Sequence, residues 1–135
     1  MAEHLYLVTY DIRDDKRWRR VFRLMKGYGE WLQLSVFQCR LSRRRHAELV
    51  ALLDGAIKHG TDAVLVIDLG PADKVKPRVI VCGHTHQPEI RDLGWKLIVN
   101  TGSAGYVFDG DPTASWALID IEDGEVRADF DSLGD

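Results

Sequence analysis

Alternation between short apolar runs and amphipathic stretches is the feature that most constrains the fold of this 135-residue chain. LYLVTY at residues 5–10 and DAVLVIDLG at 62–70 are rich in aromatic and β-branched residues, which is typical of strands. WLQLSVFQCRL at 31–41 is longer and partly alternating, and we interpret it as one further strand. Three predicted strands are therefore separated by two stretches of different character.

The stretch after the first strand has the periodicity of an amphipathic helix. Asp14 and Asp15 suit the positive end of a helix dipole, and Gly27 or Gly29 provides a stop. Apolar residues recur every three or four positions up to about Tyr28, which predicts a helix from Asp15 to that point. The apolar residues of this helix are Trp18, Val21, Phe22, Met25 and Tyr28.

The second amphipathic stretch begins at Ser42, a residue type that caps helix N-termini, and ends by Gly60. It predicts a helix of roughly 15 residues. Its expected apolar face comprises Leu49, Leu52, Leu53, Ala56 and Ile57. Short helices between strands can all lie on one face of a single sheet, so residues 1–78 are expected to form an α+β domain of the ferredoxin-like kind. The full pattern of that fold, βαββαβ, has one strand more than the three predicted here.

The sequence changes character after Pro77, where no helical periodicity appears. RVIVC and WKLIVN predict two short strands, and the Asp-Gly pair at 123–124 predicts the turn of a hairpin. Residues 79–135 are therefore expected to form a β-rich C-terminal extension.

Charge is distributed unevenly between these two parts. Residues 1–80 contain 15 Lys and Arg against 10 Asp and Glu, a balance of +5, whereas residues 81–135 contain 3 against 11, a balance of −8. A basic segment can attract a polyanion, although a solvated basic helix on a neutral domain explains the same count.

The sequence predicts a cytoplasmic protein without a membrane partner. No apolar run approaches the roughly 20 residues of a membrane-spanning helix, and the opening MAEHLYLVTYD lacks the basic segment of a signal peptide. Cys39 and Cys82 are too few for a disulfide framework and match no zinc motif, so we expect buried free thiols.

Asp11 is the first candidate site residue, because it lies where the first strand ends. Mg²⁺ is commonly bound by one or two carboxylates together with phosphate oxygens and waters, and a symmetric dimer can supply one Asp11 from each chain. Equally, Asp11, Asp14 and Asp15 can simply start the following helix. His4 and His46 have no evident partner, so the sequence indicates no general base.

The segment LVTYDIRDDKRWRRVFRLMKGYGEWLQLSVFQCRL resembles the small CRISPR-associated endoribonuclease family, whose members pair with the CRISPR integrase during spacer acquisition. The similarity covers about residues 4–79. It rests on Tyr10-Asp11-Ile12, the following Asp-Asp-Lys-Arg, Gly27-Tyr28-Gly29 and Ser35-Val36-Phe37. The resemblance implies a ferredoxin-like fold, a homodimer with apposed sheets, and Asp11 as the catalytic, Mg²⁺-binding (or Mn²⁺-binding) acid at the dimer cleft.

The same resemblance implies that double-stranded DNA or RNA is held through its phosphates. Phosphate contacts require Arg or Lys placed along a surface. The candidates for this role are Arg13, Lys16, Arg17, Arg19 and Arg20. Members of such a family can act mainly as scaffolds, so nucleic-acid binding and phosphodiester cleavage are separate expectations.

The C-terminal part carries a second resemblance, to the end of the calcineurin-like metallophosphoesterase family over about residues 79–130. It rests on Gly83-His84-Thr85-His86, Asn100-Thr101-Gly102-Ser103 and SWALID at 115–120. The resemblance implies that His84 and His86 are metal ligands. The other motifs of that family, Asp-x-His, Gly-Asp and Gly-Asn-His-Asp/Glu, are absent upstream of His84.

Two alternatives to the CRISPR interpretation follow from this tail. One is a metallophosphoesterase-type hydrolase in which Asp109 or Asp111 completes the metal site, although a two-metal centre needs ligands from several loops. The other is a chimeric or fused chain whose non-catalytic tail extends the sheet or mediates oligomerisation.

Overall fold

The structure is a computed structural model that describes residues 2–83, 89–101 and 114–133, with the backbone alone for 114–116 and 131–133. The chain divides into two compact units, Met1–Lys76 and Pro77–Asp135. No helix in the described ranges is long and apolar enough to cross a membrane.

The first unit combines a four-stranded antiparallel sheet with two helices, in the strand order β2-β3-β1-β4. Its elements are β1 (His4–Asp11), α1 (Asp15–Lys26), β2 (Glu30–Gln33), β3 (Val36–Leu41), α2 (Arg43–Ala56) and β4 (Ala63–Pro71). Both helices contribute to one buried cluster with alternate residues of β1 and β3, so they cover the same face of the sheet. The expected mixed α+β class is confirmed.

The prediction of one strand over residues 31–41 is wrong. β2 and β3 form a hairpin in which Gln33 pairs with Val36, and Leu34 at the turn has φ 41°. The indole Nε1 of Trp31 donates to the Leu34 carbonyl oxygen at 2.8 Å. The apolar pattern runs through this turn without Gly, Asn or Pro, so the sequence carries no signal of the reversal.

Local capping explains where the helices begin. The Asp14 carboxylate accepts from the Arg17 backbone N–H at 2.9 Å, and the Ser42 hydroxyl accepts from the Arg45 backbone N–H at 3.2 Å. Both helix starts are confirmed. α1 ends at Lys26, two residues before the predicted end at Tyr28, because the helical bonds stop at the Gly27 cap.

The predicted core faces of the helices are largely confirmed. In α1, Val21 and Met25 are fully buried, and in α2 Leu49 and Leu53 are buried. Leu52 is 47% exposed, so its expected place on the apolar face is wrong. α2 packs on the core through Leu49 and Leu53, which are four residues apart, and the neighbouring Leu52 is left in solvent.

Cys39 and Cys82 are thiols that form no disulfide, as expected, but the expected burial holds only for Cys39. Cys39 is fully buried in the first unit, and this burial raises the pKa of its thiol to about 12. Cys82 is only half-buried, and its pKa is raised by burial and then by Glu89. Neither thiol is therefore readily ionised near neutral pH.

Gly29 is required by a close approach to β3. A Cβ at this position would lie 2.5 Å from the Gln38 carbonyl oxygen and 3.1 Å from the Cys39 Cα. Gly29→Ala is therefore expected to lower the free energy of unfolding by about 1–3 kcal/mol, measured by urea denaturation, because backbone atoms must move. Gly55→Ala is the matched control.

Gly55 lies in α2 with nothing within 4 Å of its added Cβ. Alanine there is expected to stabilise the protein by roughly 0.5–1 kcal/mol through helix propensity. Equal stability of Gly29→Ala and the natural protein would contradict the close approach.

The second unit consists of strands in its described residues. β5 (Val79–Cys82), β6 (Glu89–Asp92) and β7 (Leu97–Asn100) form a sheet in the order β5-β7-β6, with β5 and β7 parallel. β8 (Ala114–Glu122) and β9 (Glu125–Leu133) form a hairpin whose turn residues, Asp123 and Gly124, have φ 50° and 79°. The predicted strands and hairpin are confirmed. β6 was not predicted, because its sequence EIRD contains only one apolar residue and so lacks the pattern of a strand.

Candidate active site and nucleic-acid interface

Asp11 is the last residue of β1 and is half-buried. On β1, Tyr6, Val8 and Tyr10 belong to the core beneath the helices. Because strand side chains alternate between faces, Thr9 and Asp11 project from the opposite face of the sheet. We call this face the open face.

The open face carries large apolar side chains. Leu65 and Ile67 of β4 pair directly with Thr9 and Leu7, and directly paired residues share a face. Leu65 is 57% exposed and Ile67 is 37% exposed. Asp11, which pairs with Ala63, therefore stands at one end of an exposed apolar surface.

The chemistry of Asp11 fits a hard metal ion, because carboxylate oxygens are preferred ligands of Mg²⁺. Among residues 2–83, 89–101 and 114–133, no group of three or more His, Cys, Asp or Glu side chains is arranged to hold a metal. Within the described part of one chain, Asp11 therefore fits as a single carboxylate ligand, a number that Mg²⁺ sites use when phosphate and water complete the shell.

Arg17 has a structural partner that the sequence did not indicate. Its Nε donates to Asp62 Oδ2 at 2.8 Å and its Nη2 to Oδ1 at 3.1 Å. The Asp62 carboxylate is fully buried and also accepts from the backbone N–H groups of Lys58, at 2.8 Å, and Arg13, at 3.2 Å. This cluster ties the start of α1 to the segment before β4.

The electrostatics of this pair follow from its hydrogen bonds. The Arg17 guanidinium, then the backbone N–H groups of Lys58 and Arg13, hold the pKa of the Asp62 carboxyl well below its usual range. In return, the Asp62 carboxylate raises the pKa of Arg17. The role of Arg17 in nucleic-acid binding stays a prediction. Its Nε and Nη2 already donate hydrogen bonds to Asp62.

The other predicted basic residues lie at the surface. Lys16, Arg19 and Arg20 are exposed on α1, and Arg23, which was not among the candidates, continues the series. Spacings of three, four and seven residues place these four side chains on one helix face, which we call the basic stripe. Arg13 is exposed just before the helix.

His4 has a hydrogen-bonding partner that the sequence did not indicate, and His46 has an aromatic neighbour. His4 Nδ1 lies 2.9 Å and 3.0 Å from the two carboxylate oxygens of Asp68. The His46 ring is stacked on the Tyr6 ring with centroids 4.4 Å apart. Asp68 is 64 residues from His4 in sequence, so only the pairing of β1 with β4 reveals the contact.

The remaining predicted metal ligands, His84 and His86, lie outside the described residues, as do Asp109 and Asp111. Their role stays a prediction, and so does the resemblance of the tail to phosphoesterases.

Comparison with known proteins connects the first unit to one family. The sequence pattern of the family described as CRISPR associated protein Cas2 matches residues 4–76. The CRISPR-associated endoribonuclease Cas2 of Geobacter sulfurreducens is 54% identical over 89 residues, which cover 66% of this chain and 94% of that protein. The CRISPR-associated endoribonuclease Cas2 1 of Rhodospirillum rubrum is 58% identical over 74 residues, covering 55% and 72%.

Among solved structures, Streptococcus pyogenes Cas2 at pH 6.5 is 32% identical, with a TM-score of 0.46, over 49% of this chain and 86% of that one. The family pattern spans more than half of the 135 residues and contains Asp11, the whole of α1 and the basic stripe. The chain belongs to the Cas2 family of CRISPR-associated proteins.

Proposed function

We propose that this chain is a nucleic-acid-binding homodimer of CRISPR adaptation that works in the cytoplasm with a CRISPR integrase. We further propose that it cleaves phosphodiester bonds with Mg²⁺ (or Mn²⁺) bound at Asp11. The observation that carries the proposal is the position of Asp11 at the end of the exposed apolar open face. Relatives named endoribonuclease, and one from Thermus thermophilus named endonuclease, support a nuclease.

The arrangement of the first unit supports a ferredoxin-like domain. Its elements follow the order β1α1β2β3α2β4, its strands lie in the order β2-β3-β1-β4, and both helices pack on one face. Such a domain leaves the other sheet face without cover from its own helices, which is the face that carries Asp11.

The open face supports a homodimer with apposed sheets. Two copies related by a twofold axis would each cover the other's Leu65 and Ile67, removing exposed apolar surface from water. The same axis can bring the two Asp11 carboxylates towards one cleft. Light scattering is expected to give twice the 15.3 kDa chain mass, and a monomer mass would contradict this arrangement.

The proposed chemistry assigns distinct parts to distinct residues. Asp11 would hold a Mg²⁺ ion, which would supply Lewis acidity towards a phosphate oxygen and would lower the pKa of bound water. Asp11 holds the ion through its carboxylate, and Arg13 with the basic stripe holds the nucleic-acid backbone. Arg17 fixes the start of α1 through Asp62 and so positions the stripe.

The basic stripe is tested by removing its charges. The triple variant Lys16→Gln/Arg19→Gln/Arg20→Gln is expected to bind a short DNA or RNA duplex about 10–100-fold more weakly, with a shallower dependence on salt. Each phosphate contact that is lost removes roughly one counterion from the salt slope. Fluorescence anisotropy at several salt concentrations measures both quantities.

The matched control removes three positive charges elsewhere in the same unit. Arg44→Gln/Lys58→Gln/Lys74→Gln changes exposed side chains outside α1 and is expected to keep most of the affinity. If the two triple variants bind equally well, net charge rather than the stripe determines binding, and the proposed interface is wrong.

A further inference from the structure

A polar cavity lies in the first unit, at the end of β1 away from Asp11. Its volume is about 420 Å³, and its lining includes His4, Tyr6, Arg43, His46 and Asp68. His4 and Asp11 are seven residues apart on one strand, which corresponds to about 23 Å, and they project from opposite faces of the sheet. The cavity is therefore separate from the proposed metal site.

The carboxylate of this cavity is already committed to hydrogen bonds. Asp68 accepts from His4 Nδ1 at 2.9 Å and from the Gly70 backbone N–H at 2.8 Å. These two bonds, that of His4 being the larger cause, lower the pKa of Asp68. A His ring held through Nδ1 keeps a fixed orientation and leaves Nε2 for another group.

The other polar side chains of the cavity are of the kinds that bind anions. Arg43 is the exposed first residue of α2, and its guanidinium offers the donor geometry that matches phosphate oxygens. His46 lies one turn further along α2. Three side chains that can carry positive charge thus line a cavity with one carboxylate, and that carboxylate is hydrogen-bonded to His4.

The wall beside these groups is aromatic. The Tyr6 and His46 rings are stacked with an interplanar angle of 10°. Tyr6 is 7% exposed, whereas His46 is partly exposed, so the histidine is the outer ring of the stack. Histidine and tyrosine faces are surfaces on which nucleobases stack.

We propose that this cavity binds a nucleotide by its phosphate monoester, with Arg43 and His4 contacting the phosphate and the Tyr6–His46 stack contacting the base. A volume of about 420 Å³ lies within the usual range of small-molecule sites and exceeds what inorganic phosphate alone would fill. The phosphate monoester belongs either to a free mononucleotide or to the end of a nucleic-acid strand.

The test is a calorimetric titration of the full chain with adenosine 5′-monophosphate, which measures the affinity and the number of sites. We expect saturable binding with one site per chain, and at least about tenfold weaker binding by Arg43→Gln and by His4→Gln, since each loses a contact to a charged group. Arg44→Gln is the matched control, because Arg44 is the next residue of α2 and its side chain is 86% exposed. It is expected to bind like the natural protein.

Further measurements distinguish binding in this cavity from binding at the Asp11 site and identify the source of the phosphate. Asp11→Asn is expected to bind adenosine monophosphate normally, and adenosine is expected not to bind. Competition by a 5′-phosphorylated oligonucleotide, but not by its dephosphorylated form, identifies a strand end, whereas binding of the mononucleotide alone identifies a free nucleotide. Equal binding by Arg43→Gln and the natural protein, equal binding of adenosine, or no binding of the monophosphate would overturn the proposal.

Discussion

Asp11→Asn is expected to reduce metal-dependent phosphodiester cleavage by at least about 100-fold. Asparagine keeps the size of the side chain and one oxygen, but it removes the negative charge that a hard cation requires. Asp11 ends β1 on the open face, and strand pairing with Ala63 fixes its backbone, so the substitution leaves the sheet in place. The loss therefore reports on metal chemistry rather than on folding.

Cleavage of labelled RNA and DNA duplexes with Mg²⁺ or Mn²⁺ measures this effect, and circular dichroism checks the fold. Asp15→Asn is the control, because Asp15 is an exposed carboxylate four residues away in the first turn of α1. It is expected to cleave at nearly the natural rate. Undiminished cleavage by Asp11→Asn would remove Asp11 from the active site.

Binding and cleavage are expected to separate in the Asp11→Asn variant. The basic stripe lies on α1 and does not include Asp11, so duplex affinity is expected to fall by less than about threefold. If the natural protein binds duplexes but cleaves neither DNA nor RNA, the protein acts as a scaffold. The open face would then serve dimerisation alone.

Features determined within a few residues of each other could be predicted from the sequence. Asp14 and Ser42 cap helices whose first turns they contact directly, so the helix starts were predictable. The position of Asp11 at the end of β1 was predictable in the same way, because it depends only on the apolar run that precedes it. The turn at Leu34 and Ser35 was not, because it contains no Gly, Asn or Pro and a leucine occupies the position with positive φ.

Contacts between residues distant in sequence could not be predicted in this way. The contact between Arg17 and Asp62 spans 45 residues, and Asp62 lies in a loop without a motif, so the sequence does not indicate it. The contact between His4 and Asp68 spans 64 residues, and the sequence does not indicate it either. In both cases the pairing of β1 with β4 brings the partners together, and strand order is a property of the whole sheet rather than of a local pattern.

Asp62→Asn is expected to lower the melting temperature by about 10 °C or more. The Asp62 carboxylate is fully buried and accepts from the Arg17 guanidinium and from the backbone N–H groups of Lys58 and Arg13. Asparagine has one acceptor oxygen, and its amide NH₂ faces donors, so at least one donor loses its partner and the guanidinium loses its counter-charge. Because this cluster anchors α1, weaker duplex binding through the basic stripe is expected to accompany the loss.

The pH dependence of this effect identifies its cause. A carboxyl whose pKa is depressed by folding stabilises the protein above the pKa of the unfolded chain, near 3.8, and loses that contribution as the pH falls towards the folded value. The difference in melting temperature between the natural protein and Asp62→Asn is therefore expected to have its largest value at pH 7 and to become smaller below about pH 4. Asp14→Asn also changes a carboxylate beside Arg17, but asparagine caps helices as well as aspartate does, so little change is expected. A difference for Asp62→Asn that stays constant down to pH 3 would show that side-chain packing, rather than the charge of the buried carboxylate, anchors the start of α1.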